Sequence, residues 1–329
     1  MKNATSTASG ILLVDKTGGM TSHDVVSRTR RLAGTRKVGH AGTLDPMATG
    51  LLILGVNSST RLLTYVVGLD KEYLATVRLG VVTTTDDAEG EALGEPAGDG
   101  LLAGVTDARL AAAFAGQTGE IEQVPSSVSA IKVDGKRAYA RVRSGEDVVL
   151  AARRVTIAEI ELLGAPRRAV ADDGTPGTGA EVVDVDVRVV CSSGTYIRAI
   201  ARDVGAALGV GGHLTALRRT RIGPFSVDDA HSLDELGSVV ESGASVPLIA
   251  AAAAAETLFP VWRLDEAQAV ALGHGQRVEA PEDVRASAQG STPVAAIAPG
   301  GALLGLVEVT GRTAKSVVNF PPDEREVTA

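Results

Sequence analysis

The sequence predicts an α+β protein with one large domain followed by a small β-rich one, and three observations carry that expectation. Residues 72–79 and 182–190 alternate apolar and polar side chains with a period of two, as half-buried strands do. Ile197, Ile200, Val204 and Leu208 then recur at helical spacing. Residues 259–320 carry their own strand signals, at 294–297 and 303–309, broken by glycine turns.

The elements follow in order. Residues 1–9 read as a disordered lead, 10–250 as the larger domain and 256–325 as the smaller, with an alanine-rich linker between them. Residues 11–14 form a short strand. Ser22 caps a helix that turns Val25, Val26, Thr29 and Leu32 inward and Arg28, Arg30 and Arg31 outward, until Gly34 stops it. The strand at 72–79 presents Tyr73 at its start. Residues 86–107 are acidic and glycine-rich, a loop before a short helix near 109–114, and residues 166–180 read as a second loop. Val183, Val185, Val187 and Val189 face inward on the next strand, which ends in Cys191.

Composition narrows the function. At 329 residues and 44% hydrophobic, the chain can bury a large core. Neither the aliphatic start at 11–14 nor the alanine run at 250–255 is long and apolar enough for a signal core or a membrane span. A single cysteine excludes an intramolecular disulfide and a multi-cysteine zinc site, and suits a cytoplasmic location. The five histidines show no ligand spacing, so no metal is expected. Net charge is −8, yet residues 21–45, 131–154 and 198–221 carry +3, +4 and +4. Brought to one face, these segments would bind an anion such as RNA; the plain alternative is three solvated surfaces. With 3% aromatic residues, stacking on many single-stranded bases is not expected, so shape and phosphate contacts would dominate.

Residues 39–50, GHAGTLDPMATG, hold the most informative segment. Three glycines, a proline and small or hydroxylic residues shape a tight loop around one carboxylate, Asp45. Pro46 biases Asp45 toward extended backbone, and the glycines allow close approach by a bulky ligand. A simple turn started by Asp45-Pro46 is the ordinary alternative.

This string resembles the catalytic loop of the pseudouridine synthases, and its wording is close to that of the bacterial tRNA pseudouridine synthase B family. Five further blocks share the resemblance in order: Asp15-Lys-Thr-Gly-Gly-Met-Thr-Ser22, Lys71-Glu-Tyr73, Thr85-Asp-Asp-Ala-Glu-Gly90, Gln123-Val-Pro-Ser-Ser-Val-Ser-Ala-Ile-Lys132 and Cys191-Ser-Ser-Gly-Thr-Tyr-Ile-Arg198. The resemblance spans residues 10–225. It implies a pseudouridine-synthase-like domain with a central mixed or antiparallel sheet flanked by helices, and a PUA-like C-terminal RNA-binding domain.

It also implies a chemistry. Uridine becomes pseudouridine when the C1′–N1 bond breaks, the uracil rotates and C1′ bonds to C5, with no redox change and no cofactor. One ionised carboxylate and a shielded pocket suffice. By resemblance Asp45 is that carboxylate, and Arg198 is the cation that keeps it charged against desolvation. Tyr73 packs on the flipped base and serves proton removal at C5. Tyr196 and Leu217 line the uracil pocket, and His40 fills the gap left in the RNA stack. The implied substrate is uridine-55 in the T-arm stem-loop of tRNA, for which a monomer without a protein partner is sufficient. Thr17 stands where the family usually has proline, which would loosen a turn, and Val128 where it often has tyrosine.

Two rivals remain at this stage. Asp15-Lys-Thr-Gly-Gly echoes the phosphate acceptor of ion-pumping ATPases, but the chain shows neither spans nor a metal-binding carboxylate cluster. A noncatalytic RNA-binding or tRNA-folding protein would use the same basic surface.

Overall fold

The computed structural model describes residues 8–126, 132–133, 136–137, 151–171, 177–288 and 292–321. The chain forms two compact units, one of residues 1–46, 50–67 and 224–329, the other of residues 47–49 and 68–223.

In the first unit the strand Gly10–Lys16 lies antiparallel to Thr49–Val56, with Leu12 opposite Leu54, and parallel to His231–Ser232. Ile249–Ala250 adds an antiparallel partner on Gly10 and Ile11, and Val38–Ala41 extends the sheet with His40 opposite Leu54. Mixed pairing of this kind puts wholly aliphatic strands in the interior, and Ile11, Leu12, Leu52, Ile53 and Leu54 are all buried. The helix begins as the apolar spacing predicts, but Thr21 rather than Ser22 is its cap. Thr21 accepts from Asp24 N while the Asp24 carboxylate accepts from Thr21 N. Of the expected lead, residues 1–7 lie outside the described residues. Its last residue, Ser9, is buried and its hydroxyl donates to the Val56 carbonyl.

The alanine run is a helix, Ala251–Leu258, not a linker. Alanine loses no side-chain entropy in a helix and lets neighbours approach closely. Ala254 and Ala255 are fully buried, and the helix packs on Gly10–Lys16 and Val294–Ile297. The C-terminal β-rich region is a five-stranded sheet in the order Val261–Arg263, Val294–Ile297, Leu303–Thr310, Thr313–Asn319, Val278–Glu279. Trp262, Leu272, Val284, Val294 and Val307 form its core.

The second unit is built on an antiparallel ladder: Gly212–Ile222, Lys71–Leu79, Glu181–Cys191, Arg153–Leu162 and Gly119–Gln123. Tyr73, Ala75, Val77 and Leu79 lie opposite Val189, Val187, Val185 and Val183, so the two alternating stretches bury one shared face. The other face is polar: Arg78 forks onto Asp184, Thr76 donates to Asp186, and Arg188 pairs with Glu72. Part of the expected loop at 166–180 is a strand, Arg167–Val170, antiparallel to Glu181–Cys191. The arginines at 167 and 168 hide the period-two pattern.

The helix Ile197–Leu208 packs on Gly212–Ile222 and Lys71–Leu79 and ends at Gly209, whose φ of 77° favours glycine. Its closest approach is at Gly205, where an added Cβ would fall 2.2 Å from the Gly211 carbonyl carbon. Gly205→Ala should therefore lower stability by about 1–3 kcal/mol, as overpacking does, read as an earlier urea midpoint.

Candidate active site

The first unit carries Asp45 and His40. The Asp45 loop connects Val38–Ala41 to Thr49–Val56, and both neighbours of Asp45 are pinned. Before it, Leu44 N donates to Ser22 Oγ at 2.9 Å and the Ser22 hydroxyl donates to the Leu44 carbonyl at 3.2 Å. After it, the Pro46 carbonyl accepts from Gly19 N at 2.9 Å and from Lys16 Nζ at 3.0 Å. Lys16 is fully buried, and its ammonium also donates to the Thr17 and Met20 carbonyls at 2.9 and 2.8 Å. Three carbonyls thus solvate the buried charge and hold the turn at Thr17 without the proline. Asp45 itself is half-buried. His40 is half-buried on its strand, with its ring T-shaped against that of His23.

The second unit carries Tyr73, Tyr196, Arg198 and Leu217. Tyr73 and Leu217, each 7% exposed, lie on one face of the ladder, since Tyr73 is opposite Arg219 and Leu217 opposite Ala75. The strand Gly212–Ile222 that holds Leu217 escapes sequence reading, because bulges and its arginines and threonines break the alternation. Tyr196 caps the helix Ile197–Leu208. Its N–H donates to Gln123 Oε1 at 2.7 Å, and Gln123 Nε2 donates back to its carbonyl at 3.1 Å. Arg198 lies in the first turn of the same helix. It is 4% exposed, ion-paired to Asp87 at 3.1 Å, and it donates to the Thr85 carbonyl at 2.9 Å. Asp203 pairs instead with Arg202, which also reaches Asp86.

Asp87 and Gln123 are the residues that the sequence reading quoted but gave no role. Asp87 is 2% exposed and accepts from Glu89 N and from the Thr85 hydroxyl as well as from Arg198. An acidic, glycine-rich stretch reads as solvated loop, and only the fold shows that Asp86 and Asp87 are both buried. Lys71 shares the Tyr73 face two residues earlier; burial, reinforced by the Arg219 charge, pushes its ammonium down to about 8. Burial raises the Cys191 thiol to about 11, which makes it an inert core residue.

The third basic segment is divided between the interior and partly exposed positions, the latter including Arg218. Arg198 and Arg219 are buried, and Arg202 and Arg221 pair with Asp86, Asp203 and Asp70. In the first segment Arg28 pairs with Asp234 and Arg30 donates to the Val38 carbonyl, while Arg31, Arg36 and Lys37 are exposed. Most of the segment at 131–154 and Val128 lie outside the described residues.

A pocket of about 540 Å³ in the second unit is lined by Met47, Thr49, Leu74, Asp186, Leu217 and Arg218 among others. Of the expected site residues it includes Leu217. Among the described residues no cluster of His, Cys, Asp or Glu is arranged to hold a metal, and no helix is long and apolar enough to cross a membrane.

Comparison with known proteins adds three family matches: TruB family pseudouridylate synthase (N terminal domain) over residues 30–197, tRNA pseudouridylate synthase B C-terminal domain over 198–249, and tRNA Pseudouridine synthase II, C terminal, over 259–321. A tRNA pseudouridine synthase B of Leifsonia xyli is 58% identical over 96% of this chain and 98% of its own. One from Thermobifida fusca is 51% identical over 95% of this chain and 99% of its own. In fold, the chain resembles one in a solved Cbf5-Nop10-Gar1 complex, with a TM-score of 0.66 at 24% identity, over 96% of this chain and 86% of that one.

Two outcomes follow from the geometry. Asp87→Asn removes the carboxylate charge that the buried Arg198 guanidinium meets at 3.1 Å and should cost about 3 kcal/mol in urea unfolding. His213 is fully buried with Nδ1 on the Val81 carbonyl, and burial lowers its affinity for a proton. The unfolded chain then takes up a proton below the ordinary histidine value of about 6.5 while the folded one resists, so stability falls as pH drops below that value. Thermal unfolding at pH 7 and pH 5 should show a smaller loss for His213→Asn than for the wild type.

Proposed function

The chain belongs to the TruB family of pseudouridylate synthases and is a tRNA pseudouridine synthase, an isomerase; from that premise we propose that it converts uridine-55 of the T-arm through Asp45. The observation that carries this reading is the pinning of Leu44 and Pro46, which fixes the backbone on both sides of a half-buried carboxylate. Preorganisation of that kind is what a reactive group needs, because misplacement by an ångström costs orders of magnitude in rate.

The roles divide as follows. The Asp45 carboxylate meets the flipped nucleotide and supports cleavage of the C1′–N1 bond. Arg198 keeps that carboxylate ionised, Tyr73 packs on the base and assists proton removal at C5, and Tyr196 and Leu217 line the uracil pocket. His40 enters the RNA stack in place of the extruded base, offsetting part of the few kcal/mol that flipping costs. No cofactor or metal takes part. The exposed cations Arg31, Arg36 and Lys37 favour an RNA backbone as partner. A monomer in the cytoplasm accounts for these properties.

Asp45→Asn should reduce single-turnover pseudouridine formation on the order of 10⁴-fold while tRNA affinity stays within about threefold. Unchanged product formation would refute the role of Asp45. Filter binding should also show affinity falling steeply with salt, since phosphate neutralisation releases counterions; a flat response would refute the backbone contacts.

A further inference from the structure

The first turn of the helix Ser22–Leu32 faces two ways. Ser22 points inward and holds Leu44, while His23, the next residue, is exposed. The His23 ring lies 5.6 Å from the His40 ring, centroid to centroid, with the planes at 77°. This is the T-shaped arrangement that aromatic rings prefer, in which the positive edge of one meets the negative face of the other.

Both rings sit on fixed supports. His23 occupies the second position of a helix whose start is locked by the Thr21–Asp24 capping box, and His40 lies on a strand in register with Thr49–Val56. The Asp24 carboxylate accepts from Thr21 N and the Thr21 hydroxyl, so the acid beside His23 is turned back onto its own helix. The capping box also occupies the helix N-terminus, which removes an anion site there as the reason for an exposed histidine.

We propose that His23 is a positioning residue for His40, holding its imidazole in the orientation in which it enters the RNA stack. The inference rests on the role given to His40 above. A half-buried ring without a fixed neighbour samples several rotamers, and binding must select one of them at an entropic cost. A T-shaped neighbour on a capped helix removes much of that cost before the RNA arrives. Neither residue type nor spacing discloses this in the sequence, since the two histidines are seventeen residues apart on different elements.

The test is a double-mutant cycle on tRNA affinity, with single-turnover rates at saturating tRNA. His23→Ala should weaken binding by about threefold to tenfold, the equivalent of one edge-to-face pair, and leave the saturated rate within about twofold. His23→Phe should restore affinity, because a phenyl ring keeps the contact without charge or hydrogen bonding. In a His40→Ala background, His23→Ala should add nothing. Additive losses, or rescue by His23→Lys but not by His23→Phe, would mean that His23 acts on the RNA directly and would overturn the inference. If His40→Ala binds tRNA as the wild type does, the role of His40 itself fails and the inference with it. If His40→Ala weakens binding while His23→Ala is silent, only the inference fails.

Discussion

One serine hydroxyl and one buried ammonium hold the backbone on either side of Asp45, and the site depends on that constraint. A loop of glycines and small residues has little apolar surface to bury and would by itself sample many conformations. Ser22 exchanges two hydrogen bonds with Leu44, and Lys16 and Gly19 close on the Pro46 carbonyl. The carboxylate between them is therefore placed by the strand Gly10–Lys16, the turn after it and the first turn of the following helix. Those elements are stable for their own reasons, an aliphatic strand and a capped amphipathic helix, so the loop draws its order from a rigid frame.

The second unit solves a different problem, that of keeping charge inside a protein. Arg198 and Lys71 are cations in positions where desolvation is costly, and each is met by specific acceptors: Arg198 by Asp87 and Thr85, Lys71 by the Leu69 carbonyl. The helix Ile197–Leu208 can carry Arg198 there because Gly205 lets it lie against the Gly211–Gly212 backbone, and because Gln123 fixes the backbone at Tyr196 where the helix starts. Satisfied charges of this kind contribute little net stability. What they supply is a guanidinium fixed in a buried position, where an electrostatic interaction is worth more than in water.

Much of this was legible in the sequence, and the failures have physical causes. Alternating valines gave away the central strands, and helical spacing gave away the Arg198 helix, because burial on one face leaves a periodic trace. The strands Arg167–Val170 and Gly212–Ile222 left no such trace, since arginines, and in the second strand threonines and bulges as well, interrupt the alternation. The alanine run was misread because alanine has no side chain to show a period, although it favours helix. Asp45, Arg198, Tyr73, Tyr196, Leu217 and His40 were named by motif resemblance. The partners that hold their surroundings, Ser22, Gln123 and Asp87, act through contacts between residues distant in sequence, and no local pattern encodes those.

In the proposed reaction a placed carboxylate at position 45 meets an extruded uridine. A crystal structure of the Asp45→Asn chain with a T-arm stem-loop RNA tests it most directly. The target uridine should lie out of its stack, with the residue 45 side chain within about 3.5 Å of the sugar C1′ or the base C6 and the Arg198 guanidinium beside it. A uridine still stacked in the loop, with residue 45 facing bulk solvent, would contradict it.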